Sequence, residues 1–184
     1  MKLWSDRKKV PVDVWYLQMF EAPPPPPTPA ANVRIMRLEE PTVAFYRYLY
    51  DRVGREWHWF ERLKLDDAAL GRLIGGSGVE INVLYVGGGP AGFAELDVGT
   101  GTDIEVAYFG LMSEFIGRGL GGYFLRWALH RAWQHKPARV WLHTCSMDHP
   151  HALPNYQKAG LTVYRKEHVV ITDPREQFPH LGSA

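Results

Sequence analysis

The chain is short of cysteine: Cys145 is the single one in 184 residues. That excludes an intramolecular disulfide and agrees with a reducing compartment. No apolar run approaches the ~20 residues that a membrane-spanning helix needs. The opening Met1-Lys2-Leu3-Trp4-Ser5-Asp6 lacks the apolar centre of a secretory signal, so a cytoplasmic location is expected. Excess charge of either sign is missing too, since 21 Lys and Arg face 20 Asp and Glu. No overall field draws the chain to nucleic acid, and an anion site has to be built locally. No internal repeat is present. Zinc spacing is also absent, because His143, Cys145, His149 and His151 are scattered rather than paired as C-x2-C with H-x3-H. No metal is expected.

What the chain does have is 46% apolar and 22% charged residues, the balance of a folded domain. Glycine and proline divide it into elements. Val10 to Phe20 reads as a strand. Pro23 to Pro27 can join neither a helix nor a central strand; they form a polyproline spacer of roughly 15 Å at ~3.1 Å per residue. The spacing predicts a strand over Val33–Leu38 and helices ending at Gly54 and at Gly75-Gly76, the second capped by Asp66. Strands follow at Val79–Val86, Ala91–Val98 and Asp103–Leu111, joined by glycine turns as an antiparallel meander. A long helix then runs to about His135, with a strand at Arg139–Ser146, a short helix to Ala159 and a last strand at Leu161–Ile171. The fold class is mixed α/β. We divide it into an N-terminal strand with its proline linker (1–31), a main domain (32–172) and a tail (173–184). The first strand is expected to extend a sheet edge or to pair with a second subunit in a homodimer.

The most informative stretch joins the strand Ile104–Leu111 to the helix after Ile116-Gly117-Arg118-Gly119-Leu120-Gly121-Gly122. Amides at the start of a helix have no internal partner and sit at its positive pole. Small residues there let them face a phosphate. A dinucleotide-binding fold would carry its glycine loop in the first strand–helix unit, whereas this loop lies in the second half of the chain.

These residues resemble the GNAT superfamily of acyl-CoA N-acyltransferases. Its phosphate loop, Gln/Arg-x-x-Gly-x-Gly/Ala, is matched at both glycine positions by Ile116–Gly121, and Ile116 replaces the leading Gln or Arg. A second family signature, Asn-Pro-x-Ala-x-x-x-Tyr-x-Lys-x-Gly-Phe, is similar to His149–Leu161, with His149 and Leu161 as departures. The order of elements agrees from about Val33 to Ile171. The resemblance implies a central mixed sheet of about six to seven strands flanked by about four helices. It also implies acetyl-CoA as co-substrate and transfer of its acetyl group to a primary amine of a small molecule, peptide or protein. The alternatives are a longer acyl donor, or a non-catalytic acyl-CoA-binding module.

On that resemblance, the amides of Gly117, Arg118, Gly119, Leu120, Gly121 and Gly122 hold the pyrophosphate, with the Arg118 side chain available to a phosphate. Leu111, Met112 and Ser113 pair with the pantetheine arm as a surrogate strand, and His149 hydrogen-bonds the cofactor. Glu105 is the candidate base, directly or through water; a water chain without a dedicated carboxylate is the family's alternative. Its neighbours Ile104 and Val106 point to the opposite face, and apolar surroundings would raise its pKa. Glu95 and Asp97 are the second choices. Tyr156 stands at the family's tyrosine and donates a proton to the departing thiolate. Direct attack by an amine needs no acyl-Cys145. Trp57, His58, Trp59 and Phe60 form either an acceptor wall or core packing.

Overall fold

The computed structural model describes residues 7–99 and 101–182; the Met1–Asp6 segment read for a signal, Thr100 of the glycine turn and the last two residues lie outside it. The strands are β1 (Lys9–Met19), β2 (Val33–Arg37), β3 (Val79–Val86), β4 (Gly89–Asp97), β5 (Asp103–Leu111), β6 (Arg139–Cys145) and β7 (Thr162–Thr172). The helices are α1 (Val43–Gly54), α2 (Asp67–Ile74), α3 (Leu120–Gln134) and α4 (Ala152–Lys158). One mixed sheet runs β2-β3-β4-β5-β6-β1-β7. The pairs β2–β3, β3–β4 and β4–β5 are antiparallel, and β5–β6 is parallel.

The helices begin where their caps dictate. The Thr42 hydroxyl accepts from the Phe45 amide at 3.3 Å, and the Asp66 carboxylate accepts from Ala69 at 2.7 Å. Each bond satisfies an amide that would otherwise lack a partner, and such caps contribute about 1 kcal/mol. α1 and α2 cover one face of the N-terminal half. There Tyr46, Leu49, Tyr50, Leu70 and Ile74 pack on Ile81, Val83 and Phe93. α3 covers the opposite face, with Leu125, Leu129 and Ala132 against Leu96, Ile104, Val106, Val140 and Leu142. Burying each large apolar side chain contributes about 1.5–3 kcal/mol. Val12 and Val14 of β1, His143 and Cys145 of β6, and Val169 and Ile171 of β7 line the cavity.

β1 takes a place that the sequence reading did not assign. It lies inside the sheet, antiparallel to both β6 and β7, with Val14 beside Cys145 and Glu167. The β6–α4–β7 crossover joins parallel strands one position apart, and β1 fills the slot between them. Its alternation explains the burial: Leu17 and Met19 enter the core under α3, while Val12 and Val14 face the cavity. Pro11 falls beyond the end of β6, where a missing N–H breaks no bond on that side. From β1 to β2 the chain crosses five inter-strand steps, roughly 24 Å at ~4.8 Å each. The proline-rich segment spans them, exposed apart from Pro23 and Pro26.

Candidate active site

The site begins where two parallel strands separate. β5 and β6 pair at Asp103–Arg139, Ile104–Val140 and Glu105–Trp141, and the pairing stops there. β5 meanwhile stays with β4 to Leu111, with a register shift between Glu95 and Leu96 that leaves Ala107 as the extra residue. Beyond Glu105 the edge of β5 that faces β6 is therefore open. A cavity of 1190 Å³ occupies the opening and joins Gly110, Leu111 and the glycine loop to Glu105, His143, His149 and Tyr156.

Gly117 and Gly119 have φ of 79° and 75°. A side chain in that left-handed region costs about 1–2 kcal/mol, so glycine is what allows the chain to turn tightly from β5 into α3. Gly119 is the N-cap of α3 and offers no side-chain oxygen. The amides of Leu120, Gly121 and Gly122 are left without a capping partner, at the positive end of a 15-residue helix. A Cβ built on Gly117, Gly119 or Gly122 would meet nothing within 4 Å. The loop is an open cradle of backbone.

Not every residue assigned to the cofactor faces this cradle. The Met112 amide donates to the Ala91 carbonyl at 2.9 Å, and its own carbonyl accepts from Phe115 at 2.9 Å. Its side chain is buried with Phe93 and Tyr50, so Met112 turns inward. By strand alternation the polar groups of Leu111 face the open edge instead. Ser113 starts a short 3-10 turn and lies outside the cavity lining. Arg118 places its guanidinium over the Phe115 ring, 5.1 Å from the centroid. The Leu120 side chain packs near Phe124, so this residue offers only its main chain to an anion. His149 lines the cavity. Its Nδ1 accepts the His151 amide at 3.1 Å, and its ring lies edge-on to Trp57 with centroids 4.9 Å apart. Burial first, then nearby His151, lowers its pKa, which keeps the ring neutral with Nε2–H as a donor.

Glu105 does not sit in apolar surroundings. Ile104 and Val106 do point into the α3 face, but on its own face the Glu105 Oε1 lies 3.1 Å from His143 Nδ1. In the sequence His143 stands out only with Cys145, His149 and His151, as a metal ligand or part of a Cys–His nucleophile. Alternation puts each residue on a definite face of its own strand, but only the parallel pairing of β5 with β6 brings the two together. The hydrogen bond to Glu105 raises the His143 pKa; burial opposes this, and the charges of Asp148 and Glu61 reinforce it. Neither Glu61 nor Asp148 stood out in the sequence. Asp148 accepts from the Thr144 hydroxyl at 2.7 Å, the Cys145 amide at 3.0 Å and Trp59 Nε1 at 3.3 Å. It fastens the turn after β6 to the segment between α1 and α2.

Glu95 has another job. It is 1% exposed, pairs with Arg62 at 2.5 Å and accepts a short bond from the Tyr46 hydroxyl. Its carboxylate is absent from the cavity lining, so it is not placed to meet an acceptor there. Asp97 lines the cavity, and its Oδ1 accepts the Gly99 amide at 3.0 Å. Tyr156 is nine-tenths buried against Phe109 and faces the cavity. Burial, then the charge of Asp148, pushes its pKa up, and no hydrogen bond ties its hydroxyl to another described residue. Of the aromatic segment, Trp59 packs between Tyr50, Phe93 and Tyr108 as core while touching the cavity. Trp57 and Phe60 line the cavity without joining that cluster. Lys64 Nζ lies over the Phe60 ring at 4.2 Å. Among the described residues, no group of three or more His, Cys, Asp or Glu converges as a metal site, and no helix is long and apolar enough to cross a membrane.

Comparisons with known proteins agree with this geometry. A family model described as the acetyltransferase (GNAT) family matches residues 34–161. Among solved structures, the chain is similar to a GCN5-related N-acetyltransferase from Sphaerobacter thermophilus, with TM-score 0.62, 18% identity, and 88% of this chain covering 51% of that one. It is similar to another from Kribbella flavida at TM-score 0.61, 15% identity, and 94% of this chain covering 63% of that one. A conserved protein of unknown function from Staphylococcus epidermidis gives TM-score 0.57, 20% identity, and 92% covering 64%. The chain thus spans about half to two thirds of the length of these neighbours. A comparison with curated proteins returned no match.

Proposed function

The chain belongs to the acetyltransferase (GNAT) family over residues 34–161, and on that premise we propose that it transfers the acetyl group of acetyl-CoA directly to a primary amine. The observation that carries this is a single cavity that holds three things at once: unpartnered amides of a helix N-terminus, an ionisable pair and an unpaired tyrosine hydroxyl. Small-ligand sites usually enclose about 300–1,000 Å³, so 1190 Å³ is room for two substrates.

The loop has the open backbone that a diphosphate needs. A Cβ at Gly117 or Gly119 would project into empty space rather than protein, and the amides of Leu120, Gly121 and Gly122 await an acceptor. The open edge of β5 at Leu111 suits the amide-bearing pantetheine arm, and His149 Nε2–H is a further donor to it. Bound acetyl-CoA supplies an activated acyl group as a thioester.

This chain's residues meet the other demands. A lysine-like amine of pKa about 10.4 is protonated at neutral pH, and making it neutral costs about 4–5 kcal/mol. The Glu105–His143 pair is placed to take that proton. Glu61, Glu105 and Asp148 bring negative charge to the same wall, which draws in an acceptor that arrives as a cation. Trp57 and Phe60 offer aromatic faces to its carbon skeleton. The Tyr156 hydroxyl, protonated and free, donates to the departing sulfur. Cys145, whose pKa burial and Asp148 push up to about 11, stays a thiol; it takes no covalent part, and it fits a cytoplasmic setting.

Calorimetry with acetyl-CoA, followed by thiol release over a panel of primary amines, tests the assignment. Binding of acetyl-CoA and amine-dependent release of CoA are expected. Failure to bind acetyl-CoA refutes the reading.

A further inference from the structure

We propose that His143 Nε2 is the atom that receives the acceptor's proton, and that Glu105 acts through it as a positioning residue. This rests on the transferase reading above and assigns roles within its pair.

The geometry orders the two groups. Glu105 is an acceptor when ionised, so the 3.1 Å contact with Oε1 requires the proton on His143 Nδ1. That fixes the tautomer and leaves the Nε2 lone pair free. Nε2 has no hydrogen-bond partner among the described residues, and His143 lines the cavity with its side chain 49% exposed. Glu105 lies deeper, at 20% exposed, where β5 and β6 are still paired. An amine in the cavity therefore meets the imidazole before the carboxylate. The ring is also held in place: Tyr16 of β1 lies 5.9 Å from it and Trp141 of β6 lies 6.4 Å away. Tyr16 is fixed in turn, because its hydroxyl donates to Glu167 of β7 at 2.9 Å and the Arg165 guanidinium covers its ring. So the N-terminal strand forms one wall of the proton acceptor.

The charges around the ring favour its cationic form. Glu105 faces it from β5, Glu61 from the segment after α1, and Asp148 from the turn after β6. Arg62, the nearby cation on that wall, is neutralised by Glu95. Cys145 stays a neutral thiol. In the step itself the ammonium gives one proton to Nε2. The nitrogen lone pair then forms the C–N bond as the C–S bond breaks and the electron pair leaves on sulfur. Sulfur takes a proton from Tyr156, the nitrogen releases its second proton to solvent, and solvent restores Tyr156. His143 returns its proton to water.

The experiment compares wild type, Glu105→Gln and His143→Gln, all loaded with acetyl-CoA. Each is titrated by NMR of ¹³C-labelled histidine and assayed for kcat against pH with the amine of the panel that turns over fastest. A carboxylate partner raises the imidazole midpoint, so wild-type kcat should climb with pH through a midpoint above 6.5 that matches the His143 resonance. In Glu105→Gln the rising limb should survive and move to lower pH together with that resonance. In His143→Gln the limb should vanish and kcat fall by about 10²-fold or more. The proposal is overturned if Glu105→Gln loses the limb while His143→Gln keeps it, which would make the carboxylate itself the base. It is overturned equally if the His143 midpoint is the same with and without Glu105. Wild type that binds acetyl-CoA but releases no thiol with any amine would refute the transferase reading, and this assignment with it.

Discussion

Replacing Gly122 by alanine separates what the glycine loop does for the fold from what it does for a ligand. Gly122 is the third residue of α3, and a Cβ there would touch nothing within 4 Å. Its φ lies outside the left-handed region that Gly117 and Gly119 occupy, so alanine is unstrained. Gly→Ala at a compatible helical position stabilises by about 0.4–1 kcal/mol, chiefly by restricting the unfolded chain. For a chain of this size that is a rise in Tm of about 1–4 °C. The new methyl, however, tilts toward the helix N-terminus, as every helical Cβ does. It therefore projects into the space assigned to the pyrophosphate. Loss of one charge-assisted hydrogen bond costs about 1.5–3 kcal/mol, or roughly ten- to hundred-fold in Kd. Thermal melting and acetyl-CoA calorimetry on one preparation should give a more stable protein that binds more weakly. A variant with the higher Tm and an unchanged Kd would show that the amides of Leu120–Gly122 do not hold the diphosphate.

Three further outcomes follow from neighbouring groups. Tyr156→Phe removes a hydroxyl that nothing else in the described structure uses; Tm should move by less than about 2 °C, kcat should fall at least about tenfold, and acetyl-CoA affinity should hold, all measurable by melting and thiol release. Glu95→Ala leaves Arg62 unpaired beside a 1%-exposed position and should cost about 3–5 kcal/mol, read as a lowered denaturant midpoint, whereas Glu105→Gln at the open cavity should cost less than about 1 kcal/mol. Burial alone would raise the Glu80 pKa, but hydrogen bonds from Arg131, Asn82 and His135 hold it at about 2. Its folded value thus lies below its unfolded value of about 4.3. The stabilisation is complete above that pH and is lost as pH falls toward 2. Glu80→Gln should flatten acid denaturation across that window, followed by circular dichroism.

Much of the architecture was legible because it is written locally. Asp66 does cap α2, Gly75 does end it, and the glycine turns do separate three antiparallel strands. The α3 N-terminus was readable for the same reason, since its whole chemistry is contained in Ile116–Gly122. What escaped was long-range pairing. Glu105 and His143 meet only because β5 and β6 are parallel neighbours, and nothing within either strand announces the other. Glu95 looks like Glu105 in sequence, each a carboxylate within an apolar strand. The difference comes from Arg62, which a loop brings over the sheet. Asp148 likewise acquires its meaning from Trp59, across the cavity. β1 lies inside the sheet rather than at its edge or against a second subunit; its apolar residues alternate onto both faces, a pattern that suits an interior strand.

The position of β1 also governs when the sheet can assemble. Asp13 stands opposite His168, and Trp15 opposite Lys166, so the first strand of this sheet waits for its last. Contacts of such long sequence separation slow folding, because a large loop has to close before they form. During that interval β6 and β7 would present bare edges, an invitation to pair with another nascent chain. The stiff proline segment limits how far the waiting strand can stray. Only when β1 enters that slot does Tyr16 come to lie 5.9 Å from the His143 ring.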